Sequence, residues 1–103
     1  MKAMTIAEFQ ALMKTLYFEQ DKKRGIHRTT LWLMEEMGEF AEQMKQSPEK
    51  IDLAAVKEEA ADIVAWLCSI CNILGISLQD ALQEKYPNKC RRCEGSPCTC
   101  NFS

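Results

Sequence analysis

The chain has 103 residues, a formal net charge of -2 and a pI of about 5.4, which fits one domain and excludes any global attraction to nucleic acid or to an anionic membrane. Hydrophobic residues make up 47 % and charged residues 27 %, a globular rather than a disordered balance. A chain of this length buries only about 60–65 % of its unfolded surface, so a lone core is thin and a second copy is expected to complete it.

Thr5 followed by Glu8 reads as a capping box that opens a first helix. Phe9, Leu12, Met13, Leu16 and Tyr17 then recur on one helical face. The helix is predicted to fade in "DKKRGIHR", with Gly25 as its stop. A second helix is predicted from Thr29 or Thr30, with Leu33, Met37, Phe40 and Met44 as its apolar stripe and an end before Pro48. Asp52 caps a third helix that runs to Leu74 and stops at Gly75. It is apolar nearly all round after Ala60, which predicts burial on several sides, at the centre of a bundle or at a dimer seam. Ser77 with Asp80 caps a short fourth helix ending near Tyr86 and Pro87. No segment sustains a period-2 pattern, so the fold class is all-α: a four-helix unit over residues 1–87, then a Cys-rich tail over residues 88–103.

The opening "MKAMTIAEFQ" regains charge too early for a secretory signal. The longest uncharged run, "IVAWLCSICNILGISLQ", is broken by Ser, Asn, Gly and Gln. Its apolar part is too short for about 30 Å of bilayer. The expected location is therefore cytoplasmic, with no membrane partner. There, clustered cysteines point to metal or redox chemistry rather than to a disulfide framework.

Two acidic clusters carry the chemistry. In "EEMGEF", Glu35, Glu36 and Glu39 stand beside Trp32, Leu33 and Phe40. At about 100° per residue, Glu36 and Glu39 lie about 60° apart on one helical face. The third helix repeats the pattern with Glu59 and Asp62, next to Ala55, Val56, Ile63, Ala65 and Trp66. If the two helices pack antiparallel, four carboxylates converge. Bare convergence is unfavourable, because like charges and desolvation push protons onto the acids. A hard divalent cation removes that cost, and Mg²⁺ keeps positions open for water and phosphate oxygens. A ferritin-like di-iron centre uses carboxylates too, but it needs Glu-x-x-His pairs, and the one histidine, His27, follows no such glutamate. Glu42, Glu49, Glu58 and Glu84 read as surface acids. There is no GxxxxGK[ST] loop, so the P-loop mechanism is excluded.

"EEMGE" followed about twenty residues later by "EAAD" resembles the EExxE…ExxD signature of the MazG-like all-α nucleoside triphosphate pyrophosphohydrolases. The resemblance covers roughly residues 5–87. It implies a helical bundle completed as a dimer or tetramer, which hydrolyses an NTP or dNTP to the monophosphate and pyrophosphate. Carried over position by position, it makes Glu36, Glu39, Glu59 and Asp62 the ligands of Mg²⁺, with Mn²⁺ as an alternative ion. Glu35 becomes an outer acid, an extra ligand or a water-orienting base. Asn72 and Lys85 fall where relatives contact nucleotide. Lys22, Lys23, Arg24, His27 and Arg28, the basic run before the first acidic helix, are candidate phosphate contacts, with a solvated turn as the competing reading, and Trp66 is a candidate stacking partner for a base. The Arg-Tyr-Pro ending of some relatives is replaced here by cysteines, so contacts from that region do not carry over.

In the tail, Cys90, Cys93, Cys98 and Cys100 spell CxxC-x4-CxC around Gly95 and Pro97. Four such thiols suit a tetrahedral Zn²⁺ site; a flexible reduced tail and oxidised disulfides are the competing readings. Cys68 and Cys71 also spell CxxC, but within an apolar helix they read as core residues. Two other functions use the same residues. One is a non-catalytic helical adaptor with a metal-binding tail. The other is a cyclohydrolase-like or pyrophosphohydrolase role on phosphoribosyl nucleotides, which only substrates separate from the first.

Overall fold

The structure, a computed structural model, describes residues 2–101. Four α-helices follow in order: α1 (Ile6–Arg24), α2 (Ile26–Gln43), α3 (Leu53–Leu74) and α4 (Leu78–Lys85). A single 3-10 turn at Pro48–Lys50 sits in the α2–α3 connection. There is no strand among the described residues.

Local chemistry explains where the helices begin and end. Thr5 and Glu8 form the capping box: the Glu8 N–H donates to Thr5 Oγ1 at 3.0 Å, and the Thr5 N–H donates to Glu8 Oε1 at 2.8 Å. Asp52 Oδ1 accepts from the N–H groups of Ala54 and Ala55, and Ser77 Oγ accepts from that of Asp80. Gly75 closes α3 in the left-handed region at φ 71°. It donates to the Asn72 carbonyl while Ile76 donates to that of Cys71, the hydrogen-bond pair of a Schellman stop.

One boundary differs from the sequence expectation. Helix α2 starts at Ile26, not at Thr29 or Thr30. Neither threonine caps; their hydroxyls donate back to the carbonyls of Gly25 and Ile26, both at 2.8 Å, as threonines inside a helix do. Gly25 alone makes the corner, ending α1 and starting α2 at φ 89°.

Helix α3 packs against both α1 and α2, while α1 and α2 touch each other little. It is thus the central element, as its composition predicts. Gln10 ties α1 to the corner after α3. Its side chain donates to Asn72 Oδ1 at 3.0 Å and to the Ile76 carbonyl at 2.8 Å, and it accepts from the Leu78 N–H at 2.9 Å. Cys68 and Cys71 lie in the core, and burial pushes both thiols up.

The core of a single chain is small: its buried apolar side chains are Met13, Cys68 and Cys71. Much apolar surface stays bare. Leu31 is 63 % exposed, Met34 61 %, Leu53 71 % and Leu74 55 %. No single helix among the described residues is long and apolar enough to cross a membrane.

Candidate metal and nucleotide site

The sequence pairs acids on two helices, and the fold brings the pairs together. Glu36, Glu59 and Asp62 each offer a carboxylate oxygen, and these atoms lie within 4.8 Å of one another. Glu39 stands at the edge of this group and is held against Glu59. Trp32 precedes Glu36 by one turn, and Trp66 follows Asp62 by one turn. The two indoles meet edge to face with centroids 5.3 Å apart. Both contacts hold only if α2 and α3 run antiparallel, the arrangement that lets the acids converge.

The electrostatics show a cluster of acids that push one another's proton affinities up. Burial, first, and then the shared contact with Glu59 and the charges of Glu39, Asp62 and Glu59 push Glu36 up to about 7. Repulsion from Glu59 comes first in raising Glu39, followed by the shared contact with Glu59, burial, Glu35 and Asp62. Glu59 Oε2 is buried and has no hydrogen-bond partner. A buried acceptor left unpaired costs free energy, and it is what a ligand atom looks like when its cation is not counted. Oxygen donors alone suit Mg²⁺ or Mn²⁺ and disfavour soft ions.

A cavity of about 330 Å³ opens beside the acids, between α1 and α3. Asp62 belongs to both the acid cluster and the cavity wall, which also includes Tyr17, Gln20, Arg24 and Trp66. Its volume is at the lower end of the range for small-molecule sites.

Arg24, read from the sequence only as one of five candidate phosphate contacts, is engaged within the fold. Its guanidinium lies 2.9 Å from the fully buried Asp21, donates to Thr29 Oγ1 at 3.2 Å, and sits over the rings of Trp32 (4.6 Å) and Trp66 (4.9 Å). The run "DKKR" looks like a solvated turn, and only tertiary packing turns Asp21 and Arg24 inward.

The other predicted contacts are spread out. Trp66 lines the cavity. His27 and Arg28 are exposed at the start of α2. Lys85 is exposed, with its ammonium 5.6 Å from the Tyr86 ring. Asn72 is buried, and its side chain bonds to Gln10 at both ends. It joins α1 to α3 in this structure. Glu35 is exposed and acts on Glu39 only through its charge.

In the tail the four thiols form a second cluster: the sulfurs of Cys90, Cys93, Cys98 and Cys100 lie within 4.8 Å of one another. The N–H groups of Thr99 and Gly95 bring Cys93 down to about 5, while the contact with Cys98 takes Cys100 up to about 12.

The family model for the MazG nucleotide pyrophosphohydrolase domain matches residues 24–94, well over half of the chain. The chain belongs to the MazG family. The MazG match contains both acidic pairs, Trp66, Asn72 and Lys85, and it ends inside the cysteine cluster, short of Cys98 and Cys100. No curated protein matches the chain.

Proposed function

We propose that the chain is a Mg²⁺-dependent nucleoside triphosphate pyrophosphohydrolase of the nucleotide pool, acting in the cytoplasm as a homo-oligomer. The observation that carries this reading is the convergence of Glu36, Glu59 and Asp62 within 4.8 Å, with the partnerless Glu59 Oε2 among them. An adaptor gains nothing from such a cluster, since the acids repel one another unless a cation or protons intervene.

In this reading Glu36, Glu39, Glu59 and Asp62 hold the cation. Bound there, it neutralises the charge that builds on the attacked phosphate. The residues of this chain do the rest. Asp62 joins the cation site to the cavity, so a triphosphate at the acids places its nucleoside beside Trp66 and Tyr17. Trp66 then bounds the base, and the exposed side chains of Arg28, His27 and Lys85 serve the outer phosphates. Glu35, at the rim, orients the attacking water. The water oxygen bonds to the α-phosphorus and the bond to the bridging oxygen breaks. Pyrophosphate leaves with the electron pair, and the water's proton passes to a carboxylate and on to solvent. No side-chain nucleophile is needed.

The test is a panel of NTPs, dNTPs and phosphoribosyl nucleotides with Mg²⁺, following release of both pyrophosphate and monophosphate. The expected result is stoichiometric release of the two products from at least one triphosphate. Turnover confined to phosphoribosyl nucleotides moves the substrate class. Inertness across the panel overturns the enzyme reading.

A further inference from the structure

The soft cluster in the tail lies outside the acid site and extends beyond the family match. From Pro87 to Asn101 the chain has no helix or strand. It also contributes no buried apolar side chain. A segment of this kind does not order itself by burial. Yet it is folded into a compact knot. The Glu94 N–H donates to the Cys90 carbonyl at 2.8 Å and the Cys90 N–H to the Gly95 carbonyl at 3.0 Å.

The sulfur geometry identifies what the knot is built around. Cys90 Sγ and Cys100 Sγ are 3.8 Å apart, and so are Cys93 Sγ and Cys98 Sγ. A disulfide needs about 2.05 Å, so neither pair is bonded. A tetrahedron with metal–sulfur bonds of about 2.3 Å has edges of about 3.8 Å. Backbone donors point at the sulfurs: Gly95 and Thr99 N–H to Cys93 at 3.4 and 3.3 Å, and Cys100 N–H to Cys98 at 3.2 Å. Such donors stabilise thiolates, the form in which cysteine binds metal. Gly95 makes room for the arrangement. A Cβ there would meet the Pro97 carbonyl oxygen at 2.7 Å and Cys93 Sγ at 3.3 Å.

We infer that Cys90, Cys93, Cys98 and Cys100 bind one structural Zn²⁺ in a closed tetrathiolate site within a single chain. All four positions are filled by protein sulfur, so the ion has no open place for water and takes no part in hydrolysis. Its role is to fold the segment that follows α4. The ligands are soft, whereas the carboxylates of the helical site are hard, so the two sites sort their ions by chemistry.

The test uses the full chain, without a tag, purified under reducing conditions without chelator. Elemental analysis is expected to give about one zinc per chain. Titration of wild type with an organomercurial is expected to release it with a metallochromic dye as reporter. Replacement by Co²⁺ is expected to give the intense visible bands of a tetrahedral tetrathiolate. Cys98→Ser and Gly95→Ala are expected to lose zinc while keeping helical circular dichroism and Mg²⁺-dependent turnover. Absence of zinc, stoichiometric iron in its place, or two disulfides by mass spectrometry of the reduced preparation overturns the assignment. Zinc retained in full by Cys98→Ser overturns it as well. The zinc content, the Co²⁺ bands and the thiol state are read whether or not the helical site hydrolyses nucleotides; only the turnover arm rests on that reading.

Discussion

Glu59→Gln tests the acid site most directly, because Glu59 touches both Glu36 and Glu39 and holds the partnerless buried oxygen. The substitution keeps size and shape and removes one negative charge. At separations up to 4.8 Å, two full charges repel by about 3.5 kcal/mol at an effective dielectric near 20, and by about 0.9 kcal/mol in bulk water. Asp62 is exposed, and Glu36 already carries a proton below about pH 7, so the relief lies toward the lower figure. Relief on the order of 1 kcal/mol raises the melting temperature of a domain this size by about 4–8 °C. The metal-free variant should therefore melt higher than wild type. With Mg²⁺ the order reverses, because wild type gains binding energy that the amide loses. Turnover should fall by about 10²–10³-fold, as it does when an electrostatic stabiliser is removed. Scanning fluorimetry with and without Mg²⁺, paired with pyrophosphate release, reads both effects. A variant with full turnover and the full Mg²⁺-induced rise in melting temperature refutes the site.

Three further outcomes follow from other parts of the structure. In metal-free protein, Glu36 binds its proton more tightly folded than unfolded, between 4.5 and about 7. Stability should thus fall as pH rises through that window, and Glu36→Gln should flatten the slope in urea titrations; an unchanged slope counts against the raised proton affinity of this half-buried acid. Arg24→Ala leaves the fully buried Asp21 unpaired. Breaking such a pair costs about 3–5 kcal/mol, which a large drop in the urea midpoint would register. The bare apolar surface of Leu31, Met34, Leu53 and Leu74 should be covered by a second copy, giving a dimer or tetramer by light scattering; a stable folded monomer at micromolar concentration refutes this.

Helix ends were legible in the sequence wherever a side chain made the cap. Thr5, Asp52 and Ser77 act as their spacing predicts, and Gly75 stops α3. The start of α2 was not legible, because Thr29 and Thr30 look the same as caps and as helix-interior residues; which one they are depends on the left-handed Gly25 before them. The acids were legible through their apolar neighbours. The Asp21–Arg24 pair was not, since nothing in a "DKKR" run distinguishes an inward charge from a solvated one. The cavity was equally hidden, because its walls come from residues some fifty positions apart in the chain.

Acids flanked by tryptophans make sense once the forces between α2 and α3 are compared. The facing carboxylates push these helices apart where Glu36 meets Glu59 and Asp62. Something must hold the helices together there when no cation is bound. One turn away, Trp32 meets Trp66 edge to face, and the Arg24 guanidinium covers both rings. An aromatic pair is worth about 0.5–1.5 kcal/mol beyond its burial, and each cation–π contact about 0.5–2 kcal/mol. Together these match the repulsion of one carboxylate pair. Arg24 is itself fixed by Asp21 and Thr29, so the start of α2 and the end of α1 are fastened to α3 at the same point. The aromatic cluster therefore sets the register of the two helices, and the register places the acids. Were the proposed cation to bind at a site already assembled in this way, it would not have to pull the helices together, and more of its binding energy would remain for the phosphates.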